Sequence, residues 1–352
     1  LEAGPDYPNA IPPDLRRGGR NSVLRHDWGY GHVPNPAQRI PFVFPRGRVV
    51  GGSSSVNTCI ALRGRPYDFD EWGLSDWTWE KCLPAFKRLE TDLDFEDEWH
   101  GRSGPIPIRR HPREELLPWQ AAFLDACKLQ GIEDCPDHNH PTAGGAGPHA
   151  MNKVGGERMS VLRCYLTREV RRRENLRVAA GVLVRRVLFS GRRVRGLEVE
   201  VDGRVETIRC RRVVLSGGAI NTPGILLRSG IGPRAELERL GVERVADSPS
   251  VGARLLDHYG SAIFFMPRPG VVGLDDPLIQ TLYRFTSEGS PHPNDMQIQA
   301  GSLLPFPWVT IPLVSLMCQL GKPRGHGELR WEGADPDQKP RVLWHVLETG
   351  ED

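Results

Sequence analysis

The sequence predicts a mixed α/β (α+β) fold of two domains, and three observations carry that expectation. The chain has 352 residues of ordinary apolar content, enough for two cores at about 150 residues each. Residues 69–90 and 118–131 carry helical periodicity, whereas 176–215 alternate with the period of strands. A glycine- and serine-rich run at 46–70 reads as a bend around which the other segments are organised.

Composition removes several function classes. A net charge of +2 is too small to favour nucleic acid, and Arg171-Arg172-Arg173 reads as a solvated helix end. The seven cysteines are odd in number, scattered and without a C-x-x-C pair. They argue against a disulfide framework or thiolate zinc site and suit a reducing, cytoplasmic compartment. The most apolar stretch, 303–318, is interrupted by Pro305, Pro307 and Pro312. It falls short of the about 20 apolar residues a bilayer span requires, so no membrane span is expected.

Taken in order, residues 5–45 are rich in Pro and Gly and read as a meandering loop, with Trp28, Tyr30 and His32 scattered along it. Next comes Val49-Val50-Gly51-Gly52-Ser53-Ser54-Ser55-Val56-Asn57. Glycines let a backbone approach a ligand, and serine hydroxyls with backbone N–H groups suit an anion such as a diphosphate. On composition alone a plain loop fits as well. A turn at 74–76 leads into a helix with Trp79, Leu83, Phe86 and Leu89 on one side. Residues 104–108 read as a strand entry, and 118–131 as a second helix with Trp119, Ala122, Phe123, Ala126 and Leu129 inward and Gly131 as its stop.

Within the glycine-rich stretch 135–152, Asp137, His138 and His140 lack a third spaced ligand, and no metal is expected. Residues 176–215 form a β-meander broken at Ser190-Gly191 and at Asp202-Gly203, the strongest hairpin signal in the chain. Its last stretch, 212–215, reads as a buried strand running into Gly217 and Gly218. Further strands are expected at 295–299 and 327–331.

Two long motifs resemble the signatures of the glucose-methanol-choline (GMC) flavin oxidoreductases. The first is Gly47-Arg48-x-Val50-Gly51-Gly52-Ser53-Ser54-x-Val56-Asn57 with Ala61, Gly64 and Asp70. The second runs from Gly218-Ala219-x-x-Thr222-Pro223 through Leu226 and Leu227 to Ser229-Gly230-Ile231-Gly232-Pro233. Leu1-Glu2-Ala3-Gly4-Pro5, the stretch ending in Asp257-His258, and Gly327 to Pro340 are similar to family segments too, although Pro323 replaces a usual serine. The resemblance spans nearly the whole chain.

That resemblance implies an FAD-binding Rossmann-like domain in two parts, 1–111 and 151–258, separated by an active-site loop and helix region at 112–150. A substrate-binding domain built on an antiparallel sheet would follow at 259–352. It implies Glu2 at the adenosine ribose, Gly51, Gly52, Ser53 and Ser54 near the diphosphate, Asn57 near the reactive ring and the Val184 backbone at adenine. Arg48, Thr58 and Gly218 complete the expected cofactor-binding set. As a residue alone, Val184 is equally an ordinary strand valine. Val56 stands where some members carry the histidine that tethers FAD, so the FAD is expected to be non-covalent.

The implied reaction oxidises a small-molecule alcohol at its CH–OH group by hydride transfer to flavin N5. A histidine takes the hydroxyl proton, and oxygen or another carrier takes the electrons. The same resemblance implies an incomplete chain: the G-x-G-x-x-G that should precede Glu2 is absent, and the base histidine is expected beyond Asp352. Of the eleven histidines, His258 is the nearest candidate to replace it. Two other readings stay open, a hydroxynitrile lyase-like member and a flavin-binding but inactive fragment. Phe306 and Trp308 are expected to help shape an apolar, aromatic-lined substrate pocket.

Overall fold

Asp202 and Gly203 both adopt positive φ, 49° and 72°, the geometry of a two-residue turn whose twist matches its flanking strands. They join Arg193–Val201 to Arg204–Arg209, and with Val182–Ser190 these strands form the expected antiparallel meander. The structure, a computed structural model, describes residues 1–22, 24–32, 42–305 and 309–345. The expected pocket residues Phe306 and Trp308 lie outside the described residues.

The helix Gly218–Arg228 is held between two apolar clusters. Ile225 packs with Val182, Val187, Leu197 and Val199 of the meander. Ile220 and Leu227 join Tyr30, Trp331 and Trp344 on the other side. Trp344 belongs to the hairpin formed by Gly327–Arg330 and Arg341–Trp344, and Trp331 directly follows its first strand. Gly224 permits the contact, because a Cβ there would lie 2.9 Å from the Trp331 ring.

A five-stranded antiparallel sheet forms the other half, in the order Tyr259–Phe265, Val314–Leu320, Met296–Gly301, Ile279–Phe285, Gly145–Pro148. The last strand comes from the stretch read as a glycine-rich loop. Helix Pro118–Leu129 covers this sheet, but not with the expected face. Leu129 is 85% exposed, whereas Gln120 and Cys127 are buried. Gln120 decides the orientation. Its Nε2 donates to Ala300 O and Ser302 Oγ, both at 2.7 Å, and its Oε1 accepts from Thr281 Oγ1 at 2.6 Å. A fully buried amide is stable only where such partners are available, so it outranks the apolar stripe.

Two expected strands are absent. Residues 176–178 and 212–215 carry no ladder, and Val214 is 82% exposed. No described strand pairs with 212–215, although Val213 and Leu215 stay partly buried against the meander cluster. The helix Trp79–Leu89 does present the expected side, with Trp79 buried against Phe69 and Phe86.

A buried charge cluster fastens the stretch after Cys135. Arg110 Nη1 bonds Asp92, at 2.6 Å to Oδ2, while its Nη2 meets Asp137 at 2.5 Å. His100 lies 3.2 Å from the other Asp137 oxygen. Asp137 is thereby consumed, and His138 Nε2 faces Leu282 O at 3.3 Å from a buried position. No described group of three or more His, Cys, Asp or Glu could hold a metal. All seven cysteines are free, and no helix among the described residues is long and apolar enough to cross a membrane.

Burial holds the imidazoles of His111 and His138 at about 4 and about 3, and that of His149 well below its usual value. Above 6.5 these groups are neutral in both folded and unfolded chains and contribute nothing. Below it the unfolded chain takes up protons that the folded chain refuses, so stability falls. His100 is displaced upward despite its burial, by Asp137 and Asp97. Its contribution is complete below 6.5 and fades as pH rises through its folded value, so on acidification it opposes the loss, one group against three. The guanidinium unfolding midpoint is therefore expected to be lower at about pH 5 than at about pH 7. An unchanged midpoint would show that these imidazoles are already charged in the fold.

Candidate functional site

Residues 1–5 lie along the entry to the meander, with Glu2 N donating to Ala179 O and Val182 N to Glu2 O, both at 2.9 Å. Gly4 is where this segment meets the serine-rich bend: a Cβ there would stand 2.1 Å from Arg48 O. Val50 N then donates to Pro5 O at 3.0 Å. Residues 1–5 and the start of the first motif are thus tied together through backbone.

The bend reverses at Gly51 and Gly52, with φ of 93° and 53°, values that only glycine adopts readily. One 3-10 turn, Gly52–Ser55, follows. The hydroxyls mainly serve the bend itself. Ser54 Oγ donates to Gly51 O at 2.6 Å and accepts from Val161 N at 3.1 Å, and Ser55 Oγ donates to Val50 O at 3.2 Å. Ser53 is exposed, and its Oγ accepts from Gly47 N at 3.2 Å. The space beside Gly52 is open, since a Cβ there would meet nothing within 4 Å.

Below the bend, Arg158 is 1% exposed, and four backbone oxygens accept from it. Its Nε donates to Asn57 O at 2.9 Å, its Nη1 to Leu15 O at 2.5 Å and Asp14 O at 3.2 Å, and its Nη2 to Arg20 O at 2.8 Å. Asn57 Oδ1 accepts from Cys59 N at 3.1 Å, across a residue pair leading into the left-handed Cys59, φ 67°. Val56 is buried with Leu15 and Val49.

The bend runs between two clefts. The first, about 400 Å³, is lined by Glu2, Gly47, Val184, Gly217 and Asn221, with Trp28 at its wall. Trp28 stacks on Tyr30, whose hydroxyl donates to Asn221 Oδ1, and Arg48 lies over the Trp28 ring. Burial pushes the Glu2 carboxyl above its usual range, against the opposing Gly4 N–H, which donates at 2.8 Å, and the Arg48 charge. Gly218 stands next to Gly217, and its missing Cβ also points into open space. The second cleft, about 480 Å³, begins at Thr58 and reaches His149, His258 and the sheet residues Arg284 and Gln299.

Glu2 and Val184 therefore share one cleft, Gly218 adjoins it, and Thr58 opens onto the other. Gly51, Gly52, Ser53, Ser54 and Asn57 form the connecting bend, and Arg48 flanks it. A half-buried carboxylate with spare acceptor capacity, two glycine-opened gaps and an apolar strand wall fit a dinucleotide. Sequence reasoning missed Asn221, although it occupies an open position of the second motif. It also missed Arg158, Arg65, Arg284 and His149; a lone arginine within the strand Ile279–Phe285 was the one available signal.

Residues 23–260 match the family model described as GMC oxidoreductase. The chain is 32% identical over 384 residues to 5-(hydroxymethyl)furfural oxidase of Methylovorus sp. (strain MP688), covering 100% of this chain and 69% of that protein. It is 32% identical over 341 residues to oxygen-dependent choline dehydrogenase of Photobacterium profundum, covering 88% of this chain and 60% of that one. The crystal structure of pyridoxine 4-oxidase from Mesorbium loti superposes with a TM-score of 0.88 at 28% identity, covering 100% of this chain and 71% of that one. Formate oxidase superposes at 0.85 with 23% identity, covering 100% and 73%, a likeness of fold.

Gly4 and Gly52 separate tight packing from open backbone. Gly52→Ala is expected to cost only the left-handed strain, about 1–2 kcal/mol, while Gly4→Ala must displace the Arg48 carbonyl. Thermal melting is expected to rank Gly4→Ala well below Gly52→Ala; equal melting temperatures would contradict the close crossing.

Proposed function

The chain belongs to the GMC oxidoreductases, and on that premise we propose that it binds FAD non-covalently and serves the oxidation of an alcohol CH–OH group. The observation that carries this reading is the meeting of Glu2 and Val184 in one cleft, joined by the glycine bend to a second cleft. The relatives' names, an oxidase and an oxygen-dependent dehydrogenase, support oxygen as the electron acceptor.

When bound, FAD supplies a hydride acceptor that no side chain offers. The residues of this chain hold and orient. One Glu2 oxygen takes the Gly4 N–H, leaving the other to accept from ribose hydroxyls. Gly51 and Gly52 let the backbone approach a diphosphate without a Cβ in the way. Gly218 begins an 11-residue helix whose positive N-terminal end suits the same anion. The Val184 strand gives adenine an apolar wall and backbone polar groups. Asn57 and Thr58 lead from the bend into the second cleft, where the alcohol would lie. Val56 is buried in an apolar cluster and has no nucleophilic atom, which supports non-covalent retention. The proposed domain division places the cofactor in 1–111 and 151–258 and the substrate against 259–352.

We assign the proton acceptor to no described histidine. The Asp257 hydrogen bond holds the His258 imidazole above its usual range and so favours its charged form, the wrong state for a base. His149 lines the second cleft, but burial holds its imidazole well below its usual range, too weak a base to take the proton.

Reconstitution with FAD is expected to give a flavin band near ~450 nm, which anaerobic addition of a suitable alcohol bleaches. Glu2→Ala is expected to weaken FAD binding by about tenfold or more, the loss of one charge-assisted contact. Failure of the purified chain to take up FAD would end the proposal. After denaturation the polypeptide mass is expected to contain no flavin increment, and a retained one would refute non-covalent binding.

A further inference from the structure

The second cleft holds cationic groups that the protein compensates only in part. Arg65, at the start of helix Pro66–Trp72, is 4% exposed, and its Nη2 has no hydrogen-bond partner. Its Nη1 has only a long contact, 3.4 Å, to the Tyr67 hydroxyl. Arg284, on the strand Ile279–Phe285, lines the same space. Among the described residues neither guanidinium forms an ion pair. Each lies within the other's field, and burial followed by Arg65 pushes Arg284 down to about 10.

The other charges at this wall are committed. Lys322 pairs with Asp68 and Glu71, both at 2.7 Å. Arg63 is taken by Glu90. Asp295 accepts from Ser287 N and Oγ. Asp68, which partly compensates Arg284, also accepts from the Arg65 backbone N–H. Two like charges without a dedicated counter-ion are costly to bury, and guanidinium geometry matches a carboxylate with two parallel hydrogen bonds.

His149 adds a second requirement. It is 0% exposed, lines the cleft, and neither ring nitrogen makes a hydrogen bond of ordinary geometry, Gln299 beside it included. A neutral imidazole offers one donor and one acceptor, and a hydroxyl uses both.

Building on the proposed oxidoreductase activity, we infer that the alcohol this cleft accepts carries a carboxylate, held by Arg65 and Arg284, with its hydroxyl positioned toward His149. Arg65 and Arg284 are then specificity-determining residues. A neutral alcohol of the same shape would leave both guanidiniums unpaired and bind weakly.

Isothermal titration of the full chain, with FAD present, tests this using 4-(hydroxymethyl)benzoate against its neutral amide, 4-(hydroxymethyl)benzamide. The carboxylate is expected to bind at least about tenfold more tightly, with the gap narrowing as salt is raised. Arg284→Gln is expected to cut the preference to less than about threefold, and Arg284→Lys to restore part of it. Equal affinity for the two compounds in the unsubstituted chain would overturn the inference without recourse to any variant. So would a preference that survives both Arg65→Gln and Arg284→Gln. Flavin uptake, read separately by fluorescence quenching, keeps the two proposals apart. Uptake without carboxylate preference removes this inference alone, and carboxylate preference without uptake supports the anion site while removing the redox reading.

Discussion

Four backbone carbonyls converge on the guanidinium of Arg158, and the geometry of the candidate site depends on that convergence. Asp14, Leu15 and Arg20 lie on one segment and Asn57 on the bend, so one side chain fixes their separation. Burial makes the guanidinium easier to deprotonate than usual, opposed by Cys59 and the Asp14 carboxylate, while its fork bonds to carbonyl oxygens. Such a cation cannot be exchanged for an apolar residue without orphaning its acceptors. Lysine would satisfy fewer of them, because the planar fork reaches several directions at once.

The helix Gly218–Arg228 performs the corresponding task for the first cleft. Its two faces enter different clusters, so the meander bearing Val184 and the hairpin ending at Trp344 are positioned by the same rod. Ser229, one residue beyond, adds a polar tie: its Oγ accepts from Val187 N at 2.8 Å and donates to Ile225 O at 2.6 Å. The strand wall and the helix start near Gly218 therefore keep one spacing.

Local chemistry was legible in the sequence. Asp202-Gly203 announced its turn because two residues contain all the needed conformational information. The face of Trp79–Leu89 was readable because aromatic residues recur at helical spacing. The bend at Gly51 and Gly52 was readable because adjacent glycines precede a serine run. What stayed hidden was long-range and polar. Arg158 finds its acceptors 101 to 144 residues away, and Gln120 finds Ala300 at a separation of 180. Neither partner can be inferred from periodicity, and in Pro118–Leu129 the hidden amide rotated the buried face away from Ala122, Ala126 and Leu129. The stretch 212–215 failed differently, because its apolar composition specifies a strand only when a neighbour is there to receive its hydrogen bonds.

Gln120 has one more consequence. Oily surfaces can creep past one another with little penalty, so a helix lying on a sheet through methyl groups alone can shift by a fraction of a turn. An amide notched into Ala300, Ser302 and Thr281 removes that freedom, because any slip breaks several directional bonds together. The strands carrying Arg284 and Gln299 thus inherit a fixed alignment from the side of the sheet away from the cleft, and a change at that remote notch would be felt as blurred discrimination among ligands.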